Sequence, residues 1–138
     1  MEEMTFKSAL AALAMGVAAL CGSVTPLLSI MVIMMFIDFA TGFMSAAIRK
    51  ELSPGKMFDG GIRKIVMFVV VLMSYQIGMA INLPWLRDAV LVYYIITESL
   101  SILENAVLAG VRVPAFLTNL LKKAGEMADE GKGAGGNG

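Results

Sequence analysis

The chain has no histidine and a single cysteine, Cys21. The first absence excludes histidine-based acid–base catalysis and a zinc site of the usual kind, and the second excludes an intramolecular disulfide. Charge is also scarce, at 16% of 138 residues, where soluble domains carry about 25%. Acids and bases balance to a formal net charge of zero, so nothing points to a nucleic-acid partner. What fills the space is apolar: 58% of residues are hydrophobic and the mean hydropathy is +0.78. This is the composition of a small polytopic membrane protein, all-α, with no cofactor or metal-ligating set and no catalytic constellation.

Four apolar runs have the length to span a bilayer. The first, residues 8–25, is rich in alanine. The charge before it is acidic (Glu2, Glu3, with only Lys7 basic), unlike the positive start of a cleaved signal, and Leu20 ahead of Cys21 does not suit a lipoprotein site. It is therefore expected to stay as a helix. Ser8, Ala12 and Gly16, like Ala14, Ala18 and Gly22, form rows of small residues that allow close helix approach. Thr25-Pro26 breaks the chain, and residues 27–48 form the second run, with Asp38 at its middle followed by Thr41, Gly42 and Ser45.

Residues 49–64 read as a hydrophilic loop. They hold Arg49, Lys50, Lys56, Arg63 and Lys64, with turn signals at Ser53-Pro54-Gly55 and Gly60-Gly61. The third run, 65–83, is apolar apart from Ser74, Gln76 and Asn82, and a tight turn ending in Trp85 leads to the fourth, 89–109. Residues 112–130 follow as an amphipathic segment expected on the cytoplasmic membrane surface, and 131–138 as a disordered Gly-rich tail.

The fourth run carries the chemistry. Thr97, Glu98, Ser101, Glu104 and Asn105 recur on one stripe of a helix otherwise covered by Ile, Leu and Val. A central carboxylate costs about 2.5 kcal/mol or more on insertion, against a return of about 0.3–0.6 for each Leu, Ile or Val. Two acids make the run marginal alone, so it needs helix partners or water on its polar side. With the N-terminus inside, every basic residue except Arg87 falls on the cytoplasmic side, which predicts that both termini are cytoplasmic. Asp38 and Glu98 then lie at similar depth, with no basic residue expected inside any span. Their stripes are expected to line a lumen or join helices, and a water-facing stripe in so small a chain implies a homo-oligomer.

From Phe36, the pattern FIDFATGFMSA, a basic loop ending GGIRK, and TESLSILENAVLAGVRVPAFL resembles the phage lysis and toxin-secretion holins related to the clostridial toxin-release protein. The resemblance spans roughly residues 33–121. It rests on Asp38-x-x-Thr41-Gly42, on Glu98-x-x-Ser101-Ile102-Leu103-Glu104-Asn105, and on the stop at Gly110, Val111, Val113 and Pro114. It implies a non-enzymatic holin of the bacterial inner membrane, and the four apolar runs put its transmembrane domain at residues 1–111. Such a protein assembles with itself among membrane lipids and opens a lesion for an endolysin, toxin or other cargo that it need not bind. The residues alone leave two other readings: a small proton-coupled channel or transporter titrating at Asp38 or Glu98, and an antiholin-type regulator of a pore.

Overall fold

The computed structural model describes residues 1–133, and among these all regular structure is helical: α1 (Glu2–Leu20), α2 (Pro26–Ile48), α3 (Pro54–Ala80), α4 (Leu86–Leu108) and α5 (Ala115–Gly133). The first four are long and apolar enough to cross a membrane. Two starts share one device. Thr25 and Ser53 each cap a helix by accepting a hydrogen bond from the backbone N–H three residues on, and a proline follows at the first helical position. There its missing N–H costs nothing. Ser53-Pro54 therefore opens a helix where the sequence suggested a turn. The expected loop 49–64 shrinks to a short link, and Lys56, Asp59, Arg63 and Lys64 become helical.

The stops are turns with positive φ at Gly22, Lys50, Asn82 and Gly110. Gly110 closes α4 with bonds from its own N–H to Val107 and from Val111 N to Ala106, the pattern of a helix ending in a left-handed residue. Glycine is needed at Gly22, where φ is +88° and an added Cβ would run into the Tyr75 ring, and at Gly78, where it would fall 2.6 Å from the Leu83 carbonyl in the α3–α4 turn.

Helix α4 packs against α2, α3 and α5. The core lies in the half of the bundle nearest the α1–α2 and α3–α4 turns, where Cys21, Leu28, Met31, Met35, Val71 and Leu91 are buried together. Helix α1 starts six residues before the expected span, its acidic first turn suiting a helix N-terminus. None of its residues is buried, and of its small-residue rows Gly22, just past its end, lies against the Tyr75 ring, while Ala14 and Ala18 line a cavity facing Leu28 and Phe68. Its end is held by Gln76, whose side-chain amide donates to the Leu20 carbonyl at 3.1 Å.

Helix α5 returns along α4: a methyl on Gly125 would touch Ile96 Cγ2 at 3.6 Å. It runs on to Gly133, into the stretch expected to be disordered; residues 134–138 lie outside the described part. Its Lys122, Lys123, Glu126, Asp129 and Glu130 are exposed. Against hydrocarbon at mid-span, each such charge would cost about 2.5–3.5 kcal/mol.

Candidate functional site

Midway along the bundle, α2, α3 and α4 each contribute one charged side chain to a common point. Lys64 Nζ donates to Asp38 Oδ2 at 2.7 Å and also to Glu98 Oε2. The three side chains are 17, 14 and 7% exposed in that order, so water screens them little. This corrects the expectation that no base lies inside a span. Lys64 is within α3, one heptad before the buried Val71, and so on the face that meets α2 and α4. The missed signal was the Ser53-Pro54 cap. Once it starts a helix, Lys64 falls nearly three turns inside.

A second layer orients the acids. Asn105 Nδ2 donates to Asp38 Oδ1 at 3.1 Å, to the Asp38 carbonyl at 3.3 Å and to Thr41 Oγ1 at 3.3 Å. Thr41 in turn donates to the carbonyls of Ile37 and Asp38. Gly42 gives Asn105 its room, since a Cβ there would stand 3.4 Å from the amide nitrogen. Ser45, buried, donates back to the Gly42 carbonyl. Among the described residues, no buried side-chain nitrogen or oxygen is left without a partner.

The cluster forms the floor of a cavity of about 540 Å³ between α2, α3 and α4. Gly42, Ser45, Thr97, Ser101 and Asn105 line its wall, while Arg49, Glu51, Lys56 and Arg63 belong to the end near the α2–α3 link. Arg49 and Glu51 pair there at 2.5 Å. Beyond the floor, toward the opposite end, Met35, Met31, Leu28, Val71 and Leu91 close the bundle. The result is a polar recess that stops at a charged floor backed by an apolar plug.

The five-residue stripe on α4 does not stay together. At about 100° per residue it is some 120° wide, more than one helix contact covers. Glu98, Ser101 and Asn105 face α2 and α3. Thr97 is exposed at the cavity edge and donates to the Tyr93 carbonyl. Glu104 turns away, exposed beside Lys122 in a groove between α4 and α5. Among the described residues, no group of acids, Cys and His could hold a metal.

A sequence model of the bacteriophage holin family matches residues 15–126. The chain belongs to that family. Holins thus account for most of its length, including all three charged residues of the cluster. A probable holin of Bacillus phage phi105 is 36% identical over 95 residues, covering 68% of this chain and 70% of that protein. Uncharacterized proteins of Listeria monocytogenes (34% over 103 residues, 74% of each chain) and Halalkalibacterium halodurans (32% over 121 residues, 83% of this chain and 90% of the other) are also similar. No solved structure matches the chain significantly.

Proposed function

We propose that this holin accumulates in the bacterial inner membrane, assembles with copies of itself, and opens a lesion through which an endolysin, toxin or other cytoplasmic cargo leaves. It acts without catalysis or a cofactor, and the cargo passes without being bound. The observation that carries this reading is the Asp38–Lys64–Glu98 cluster, which ties three candidate spans together at mid-depth. One cation faces two carboxylates, so the cluster holds the bundle closed by charges that hydrocarbon would not tolerate once the helices part. A separated bundle has to place these groups in water, and a lumen between copies supplies it. Polar groups of this kind are stable in the closed monomer only as a set, and in the open assembly only when wet.

The orientation follows from the remaining basic residues. Lys7, Arg49, Lys50, Lys56, Arg63 and Arg112 favour a cytoplasmic side for the N-terminus, the α2–α3 link and the α4–α5 link. The polar recess then opens to the cytoplasm and the apolar plug faces out. Labelling Lys56→Cys, in a Cys21→Ser background, with an impermeant maleimide in intact cells before lysis should give no product; labelling from outside would reverse this topology.

A recess that ends at ionisable groups is also what a proton-coupled carrier uses. Regulated expression with an impermeant dye and an endolysin separates the two readings. The holin reading expects abrupt dye entry and lysis; ion-coupled uptake without loss of the barrier contradicts it. Glu98→Gln keeps the hydrogen-bonding shape of Glu98 and leaves Lys64 paired with Asp38, so it should retain lysis. Glu98→Leu should insert at least as well yet lyse late or not at all. A dead Glu98→Gln variant at matched levels would favour the carrier.

A further inference from the structure

Helix α5 carries three kinds of surface. At about 100° per residue, the half-buried Leu117, Thr118, Leu121, Ala124 and Gly125 share one side, the side on which Gly125 meets Ile96 of α4. Lys122, Lys123, Glu126, Asp129 and Glu130 occupy a second side and are exposed. Phe116, Leu120 and Met127 form a third, an apolar edge 72, 62 and 65% exposed. Ile96 lies about 18 Å from the end of α4 where α5 begins, at 1.5 Å per residue. The charged side of α5 is thereby carried past the middle of a hydrocarbon core of about 30 Å. Lipid cannot receive five charges at that depth, and among the described residues α4 is the helix on which α5 packs.

We propose that α5 is the water-lining helix of the assembled holin, an inference that rests on the lesion-forming reading above. Packed on α4 as in this structure, it turns Lys122, Lys123, Glu126, Asp129 and Glu130 toward the lumen. The Phe116–Leu120–Met127 edge meets the neighbouring copy. The three sides match the three surroundings of a lumen wall: the chain's own bundle, the next copy, and water. The link at residues 109–114, with Gly110 at φ +88° and Pro114 ahead of α5, fixes the reversal that brings α5 back along α4. A helix lying along the membrane surface would instead lose the Gly125–Ile96 contact and hold its charges at headgroup level.

The experiment uses the full chain in vesicles of bacterial phospholipid loaded with a self-quenching dye. Ile96→Cys with Gly125→Cys, in a Cys21→Ser background, is oxidised before and after dye release begins. The proposal expects a disulfide within one chain, accumulating as vesicles become permeable, with crosslinked protein still releasing dye. Release without crosslinking overturns the role of α5 and leaves the lesion reading standing. Crosslinking that blocks release overturns it too, since packed α5 would then be a closed state. If wild-type protein releases no dye at any density, the lesion reading itself fails. As a second readout, Lys122→Glu with Lys123→Glu should move the ion selectivity of planar-bilayer currents toward cations. Unchanged selectivity at normal current overturns the proposal.

Discussion

Lys64 and Arg87 are both largely buried cations in a chain of apolar helices, and they are held in opposite ways. Arg87 sits at the end of the bundle where the α1–α2 and α3–α4 turns meet. Its guanidinium donates to the Cys21 carbonyl at 2.8 Å, to that of Ser23 at 3.5 Å, and to the neighbouring Asp88. It also lies over the Tyr75 ring at 5.6 Å. Most of these acceptors are backbone groups or a residue beside it in sequence, so the arrangement fastens one turn to another and has no second state to adopt. Lys64 has only side-chain acids as partners, one from each of two other helices. Any relative movement of α2, α3 and α4 breaks it. The planar, always-charged group serves as a rivet at the closed end, and the point charge serves as a latch at the middle.

The comparison is sharpened first by removing the latch. Lys64→Met leaves Asp38 and Glu98 facing each other in a half-dry site without a cation. Breaking a buried ion pair by deleting one partner costs about 3–5 kcal/mol. Thermal unfolding of the detergent-solubilised protein should drop accordingly, with membrane levels falling in cells.

Removing the rivet should cost less. Arg87→Ala strips charged hydrogen bonds from two carbonyls, worth about 1.5–3 kcal/mol each when the acceptor cannot find water; at a turn that can admit water, about 2 kcal/mol in all is expected by the same rule. The same change has a chemical readout. Burial pushes the Cys21 thiol up, and the Arg87 charge offsets this only in part. Wild-type Cys21, 1% exposed, should react slowly with maleimide near neutral pH. Losing the Arg87 charge by itself pushes the thiol further up, so the faster labelling expected of Arg87→Ala reports the opened turn that lets water reach Cys21. Equal rates in both proteins would mean that Arg87 does not hold this turn.

The smallest effect is expected beside the latch. Gly42→Leu pushes Asn105 off Asp38 without touching Lys64, an overpacking change of about 1–3 kcal/mol. Gly42→Ala, whose Cβ makes a near-ordinary contact, should cost a fraction of that. Melting temperatures ordered wild type, Gly42→Ala, Gly42→Leu would place Asn105 as a support for Asp38; an unchanged Gly42→Leu would not.

Much of this architecture was legible in the residues. Apolar length located α2 and α4 to within a few residues: 27–48 became Pro26–Ile48, and 89–109 became Leu86–Leu108. Period also placed Asp38, Glu98 and Asn105 on polar stripes of the two helices, leaving open whether these join or face a lumen. Lys64 was missed because a basic residue beside a polar stretch was counted with the loop. The hydropathy of residues 49–64 concealed a helix whose cap, Ser53-Pro54, repeats Thr25-Pro26. Glu104 shares the period but faces α5 rather than α2 and α3, because shared periodicity does not say which of several neighbours a wide stripe will meet. The return of α5 along α4 had no local signal, since an amphipathic helix fits a groove or a membrane surface equally well.

The most direct test of the latch is a thermodynamic cycle between Lys64→Met and Glu98→Leu, combined with Asp38→Asn, read by thermal unfolding in detergent. Groups in one ion-pair network are coupled, whereas independent sites add. With both acids neutralised, Lys64→Met no longer strands a charge, so the triple variant should recover most of the stability that Lys64→Met alone loses. If instead the losses simply add, the three side chains are not acting on one another, and the latch does not exist.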